Sequence, residues 1–176
     1  MKSVRWLITA VVAGLLALTG CSTPGANVAA SVNGTAIPVA SLDQQVAAIR
    51  NQTAPTSDIN AAVLTVAIQA QVARTIAVEN RIDLGPVTRA QALQSNAQLA
   101  QFAQLAANPA AQPFVDGLID TNVVVTRIGG PAFLARVAQT NVQVNPRYGS
   151  WSVANASVTK DGGQLSEPWF APGTPA

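Results

Sequence analysis

Residues 59–94 read INAAVLTVAIQAQVARTIAVENRIDLGPVTRAQALQ. Within this stretch Leu64, Ile68, Val72 and Ile76 recur at steps of four, and Ile59, Val63, Val66, Ala70, Ala73 and Ala77 fill the adjoining rows. The apolar band is wider than a single stripe, the pattern of a helix that other elements wrap around. Asp58 stands in front of it as an N-cap, its side-chain oxygen placed to accept from free backbone N–H groups. Gly85-Pro86 is the expected stop, because glycine permits a left-handed turn and the residue before proline is pushed out of the helical region. Thr88 would then cap a second helix. The stretch identifies a helical scaffold and carries no reaction.

Composition narrows the function classes. The 176 residues contain Lys+Arg 10, Asp+Glu 8 and no histidine. Without histidine there are no His-based triads, Cys-His pairs or His-ligated metal sites. Two of the ten cations, Lys2 and Arg5, lie at the very start, so the rest of the chain has 8 against 8 and a net charge near zero. The whole-chain pI of about 9.2 therefore overstates the basicity of the remainder. No run of Lys or Arg exists, and nucleic-acid binding has no electrostatic support.

The amino terminus reads as an export address. Lys2 and Arg5 precede an apolar run from Trp6 to Leu18, which ends in Leu18-Thr19-Gly20-Cys21. A basic start, a short apolar core and small residues at a cleavage point mark a signal peptide over 1–20. The core is short for a transmembrane helix, which needs about 20 apolar residues. Leu18-Thr19-Gly20-Cys21 also resembles the lipobox of bacterial lipoproteins. That resemblance implies cleavage between Gly20 and Cys21, and diacylglycerol on the Cys21 thiol, with or without an N-linked acyl chain such as palmitate. The protein would then be anchored to the extracytoplasmic face of a cell membrane, with no other cofactor and no metal. The plainer alternatives are an ordinary cleaved signal with an incidental cysteine, or an uncleaved anchor. Residues 21–27 form the tether, and its six residues after the cysteine reach about 20 Å when extended.

The remaining chain reads mainly as helix, with strands at the two ends of one domain over 28–151. Val28 to Val39 carries Asn33-Gly34, a strong two-residue hairpin signal. Ser41 is the expected cap of a helix to about Asn51, followed by a loop through Ser57. The long helix comes next, then a helix from Thr88 to about Ala107, broken by Asn108-Pro109. Pro113 to Ile128 is a further helix, although the β-branched residues of Asn122 to Thr126 disfavour it. Pro131 to Thr140 makes a fifth. Val142 to Trp151 reads as a strand interrupted near Pro146. Residues 152–176, rich in Gly, Pro, Ser and Ala, are expected to hold little regular structure.

The order of these segments resembles the N-terminal domain of the SurA and PrsA group, extracytoplasmic chaperones and parvulin-type peptidyl-prolyl isomerases. VNGTAIPVASLD, residues 32–43, is similar to the group's opening Val-Asn-Gly-x-x-Ile-x-x-x-x-Leu/Phe. Phe133-Leu134-Ala135-Arg136-Val137, followed by Val142 to Gly149, resembles the return helix and strand of actinobacterial members. Arg81-Ile82-Asp83-Leu84 departs from the Gly-Ile that often follows the long helix. The resemblance implies a bundle of about five helices, with the N-terminal hairpin paired to the returning strand. It also implies a chaperone-like protein whose partners are unfolded or exported polypeptides. The group inserts a whole parvulin domain before the closing helix, whereas only 36 residues lie between Gln94 and Pro131 here. Isomerase activity is therefore not expected, and the protein reads as a non-enzyme. A second reading is an accessory or structural lipoprotein subunit of a membrane complex in the cell envelope.

The remaining candidate sites have competing plain explanations. Asp116/Asp120 and Glu79/Asp83 each lie at i,i+4, which places two carboxylates on one helix face for acid–base or cation chemistry. A solvated helix face looks the same, and Glu79 can instead pair with a neighbouring arginine. Asn51-Gln52-Thr53 and Asn155-Ala156-Ser157 match the glycosylation pattern, which carries little weight beside a bacterial lipobox. Tyr148, Trp151, Trp169 and Phe170 are the candidate contacts for a peptide or partner. For Tyr148 and Trp151 the competing reading is core packing of the closing strand.

Overall fold

Asp58 accepts a hydrogen bond from the Ala61 N–H at 3.1 Å, and from that cap α2 (Ile59–Asn80) runs unbroken. The computed structural model describes residues 24–50 and 58–160. Residues 1–20, expected as a signal peptide, with Cys21, the whole 51–57 loop, and Trp169 and Phe170 lie outside the described residues. At about 1.5 Å per residue α2 spans roughly 33 Å. Leu64, Ile68, Val72 and Ile76 are all buried, as are Ile59, Val63, Ala70, Ala73 and Ala77 from the adjoining rows. Each fully covered Leu or Ile contributes about 2 kcal/mol of apolar burial. By length and composition α2 could cross a membrane, but half of its most apolar window is buried within the protein.

The end of α2 differs from expectation. The helix stops at Asn80, before Gly85-Pro86, because Arg81 takes the left-handed conformation at φ 54° and ψ 38°. The Ile82 N–H then reaches back to the Ala77 carbonyl at 2.9 Å, satisfying a terminal acceptor.

Around α2 pack α1 (Val39–Arg50), α3 (Pro86–Ser95), α4 (Ala97–Ala103), α5 (Gln112–Ile128) and α6 (Gly130–Gln139). Ser41 is not a cap. Helix α1 starts at Val39, directly off the preceding strand, and Ser41 lies inside it, where the buried Gln45 amide donates to its carbonyl and hydroxyl oxygens. Thr88 is not a cap either, since Pro86 occupies the first turn of α3 with Gly85 before it. The expected single helix over 88–107 is broken at Asn96. Its side chain accepts from the Gln98 and Leu99 N–H groups, so asparagine competes successfully with the helix interior and caps α4. A 3-10 turn over Gln104–Ala107 follows. The bundle thus has six α-helices among the described residues. In α5 the β-branched stretch is helical, with Val124 fully buried; packing overrides the weak intrinsic preference.

The sheet closes the two ends of the domain. β1 (Val28–Val32) pairs antiparallel with β2 (Thr35–Pro38) across the Asn33-Gly34 turn, whose φ values of 49° and 83° are both positive, as this tight turn needs. On its other side β1 pairs antiparallel with β3 (Val142–Val144), in the order β2-β1-β3. The Asn145 amide also donates to the Val28 carbonyl at 3.1 Å.

Packed structure does not stop at residue 151. β4 (Ser150–Ser152) and β5 (Ser157–Thr159) form a second antiparallel hairpin. The Val158 N–H donates to Thr65 Oγ1 at 2.8 Å, and Gln69 Nε2 donates to the Ala156 carbonyl at 2.8 Å. Polar side chains on α2 thus receive the hairpin, whose Ala156 and Val158 are buried.

Candidate functional site

β3 is an edge strand, and its alternation decides what it offers. The Asn33 N–H donates to the Asn141 carbonyl at 2.8 Å and the Asn145 N–H to the Ala29 carbonyl at 2.9 Å. Bonded residues alternate along an antiparallel pair, so Asn141, Gln143 and Asn145 face β1. The backbone N–H and C=O groups of Val142 and Val144 face the other way, where no described strand pairs with them.

Beside that edge lies a groove of about 660 Å³. Val142 and Val144 of β3 and Ser150, Trp151 and Val153 of the following segment line it. A short 3-10 turn over Pro146–Tyr148 joins the two; the Asn145 side chain caps it by accepting from the Arg147 N–H at 3.2 Å. Arg147 and Lys160 are the charged residues of the lining, and no carboxylate joins them there among the described residues. The Arg147 guanidinium lies 5.0 Å from the centre of the Tyr148 ring.

The four aromatic candidates separate here. Tyr148 is 7% exposed and belongs to the core, so its ring offers a partner almost no surface. Trp151 is half-buried and lines the groove, and its buried indole N–H has no hydrogen-bond partner among the described residues. Trp169 and Phe170 lie outside the described residues.

The carboxylate pairs do different work from an acid–base or cation site. Asp120 has a fully buried side chain on α5. It accepts from Arg74 Nε of α2 at 2.9 Å, and from Arg89 Nε and Nη2 of α3 at 2.9 and 3.0 Å. Asp116 lies 3.7 Å from Arg89 Nη1. Both oxygens of Asp120 are held by guanidinium groups, so this cluster ties three helices together. Glu79 and Asp83 do not share a helix, because α2 ends between them. Glu79 pairs with Arg136 of α6. Asp83 staples the turn into α3, accepting from Thr88 Oγ1 and from the Gly85 N–H, each at 2.8 Å. No group of three or more His, Cys, Asp or Glu side chains suited to a metal occurs among the described residues.

The Asp83 staple has a pH consequence. The Thr88 hydroxyl, and secondly the Gly85 N–H, hold its carboxyl below the usual aspartate value of 3.8. A group depressed on folding adds stability above its unfolded pKa, and that stability is lost as pH falls through the folded value. The Asp83 carboxyl is therefore expected to titrate below 3.8 by NMR, and Thr88→Val to move it upward. An unchanged titration in Thr88→Val would refute the staple.

A second groove of about 560 Å³ lies where the end of α2 meets α3 and α5, lined mainly by polar side chains such as Arg81, Gln91 and Arg127. Sequence reasoning missed the strand-edge groove and Lys160. The Val-x-Val before Asn145-Pro146 marks the strand, but nothing local marks which edge stays open. No protein-family model, curated protein or solved structure matches this chain.

Proposed function

We propose that this is a lipid-anchored, extracytoplasmic, chaperone-like protein of the SurA/PrsA type without an isomerase module. It would hold extended segments of unfolded or exported polypeptides by contact alone, with no reaction. The observation that carries the reading is the open edge of β3 beside the Trp151 groove. An extended segment can add to such an edge, taking affinity from main-chain hydrogen bonds and selectivity from side chains seated in the groove. The edge is short, because β3 has 3 residues. Binding through so few main-chain bonds is weak and fits many sequences, as a holdase needs. Cys21 supplies the anchor in this reading.

A photoreactive residue at Val153, on the groove rim, is expected to give many heterogeneous adducts with newly exported proteins in cells. The same probe at the exposed Val87 of α3 is expected to give few. One sharp adduct at Val153 would instead mark an accessory subunit with a dedicated partner, and equal labelling at both sites would sink the groove.

Val144→Pro is a cleaner probe, since it removes an outward N–H and leaves the β1 ladder intact; edge strands tolerate proline in that position. One lost hydrogen bond of about 1 kcal/mol predicts roughly fivefold weaker peptide binding. Unchanged affinity would mean that the β3 edge is not the docking element.

A further inference from the structure

Among the described residues, the lining of the groove beside β3 carries charge of one sign. Arg147 and Lys160 lie in that lining with no carboxylate among the described lining residues. Both cations keep donors free for a ligand. Arg147 has a ring contact with Tyr148 and no ion pair among the described residues. Lys160 Nζ is 3.7 Å from Asp58 Oδ2, and its side chain is 69% exposed. Val142, Val144, Trp151 and Val153 add apolar surface to the same lining.

We propose that the preferred occupant is an extended polypeptide segment in which carboxylate side chains flank a pair of apolar residues. This rests on the peptide-binding reading and specifies its substrate class. The segment's backbone takes the outward N–H and C=O groups of Val142 and Val144. Its apolar residues cover Trp151 and Val153. A flanking carboxylate meets the Arg147 guanidinium, whose forked donors match two carboxylate oxygens, and another meets Lys160. An anionic lipid headgroup could engage the same cations, but it would leave the β3 edge unpaired. The open edge therefore favours a peptide.

The test uses the full chain in a neutral detergent and fluorescein-labelled ten-residue peptides with a central Val-Phe flanked by Glu, Gln or Lys, read by fluorescence anisotropy. Two exposed ion pairs predict about tenfold tighter binding of the Glu peptide than of the Lys peptide at low salt. The difference should largely vanish at about 0.5 M salt, where screening lengths fall to a few ångströms. It should also vanish in Arg147→Gln/Lys160→Gln, where the Glu and Lys peptides should bind alike. Equal binding of the three peptides by the parent chain overturns the charge preference and leaves the peptide-binding reading standing. Failure of all three to bind removes both. If binding appears only in Trp169→Ala/Phe170→Ala, the groove belongs to the chain's own tail, and the proposed occupant is wrong. Capture of phosphatidylglycerol vesicles through Arg147 and Lys160, with no peptide bound, assigns the charge to lipid and likewise overturns it.

Discussion

Asp120→Ala is expected to destabilise the domain by about 3 kcal/mol, the low end for removing one partner of a buried ion pair. The low end applies because the Arg74 and Arg89 side chains are 44% and 31% exposed and can rehydrate once the carboxylate is gone. What disappears is a set of charge-assisted hydrogen bonds from α2 and α3 to a side chain of α5. In thermal melting this corresponds to a fall of about 10 °C for a chain of this size. Asp120→Asn separates charge from volume. It keeps the shape, but its NH₂ group turns a donor toward a guanidinium, so it should lose as much as the alanine. The arginines should also rank. Arg89→Gln removes two bonds to Asp120 and Arg74→Gln one, so Arg89→Gln should cost more. Urea unfolding of the four variants measures this. An Asp120→Asn variant as stable as the parent would show that the cluster acts by packing, and the charge argument would fail.

Gly149→Ala is the second large effect. Gly149 sits at φ 121°, where side chains are strained, and a Cβ there would lie 2.3 Å from the Thr159 carbonyl oxygen. That oxygen is backbone and belongs to β5, so the clash is relieved only by parting β4 from β5. Backbone strain of 1–3 kcal/mol plus the displaced pairing predicts a loss of about 3 kcal/mol in closing this hairpin. The effect should be local. The Val158 amide, which donates to Thr65, should exchange its hydrogen roughly a hundredfold faster, while amides at the centre of α2 keep most of their protection. The groove should suffer too, since Trp151 on β4 lines it. Gly25→Ala is the matched control. No atom lies within 4 Å of its added Cβ, and it should stay within about 0.5 kcal/mol of the parent. Unaltered exchange at Val158 in Gly149→Ala would mean that the hairpin tolerates the separation.

Local patterns in the chain made much of the fold legible. The step-of-four apolar rows of 59–77 identified the central helix, and Asn33-Gly34 identified the turn between β1 and β2, because both are periodicities or backbone preferences of neighbouring residues. Other local choices went against expectation for local reasons. Asn96 acts as a cap inside what reads as one helix, and Arg81 ends α2 in a left-handed conformation before the glycine that seemed suited to it. The β4–β5 hairpin was missed because Ser152 to Lys160 carries too little apolar pattern of its own. It is held by Thr65 and Gln69, polar residues of α2 far away in sequence.

The candidate site was less legible. Trp151 was visible as an aromatic near the end of the chain, but core packing and surface contact read alike from one residue. Asp116 and Asp120 looked like a matched carboxylate pair, yet one is buried under two arginines and the other is partly exposed beside one of them. By itself, then, the sequence determined the mainly helical class, the central helix and the tight turn, together with the absence of histidine chemistry. Only the tertiary structure decided which edge of β3 stays open, that Arg147 and Lys160 share a groove, and that Asp120 is enclosed by arginines from two other helices. Helix and turn signals lie within a few residues of one another and act through the backbone. An open edge, a shared groove and a buried charge are properties of what lies opposite, and the chain opposite is distant in sequence.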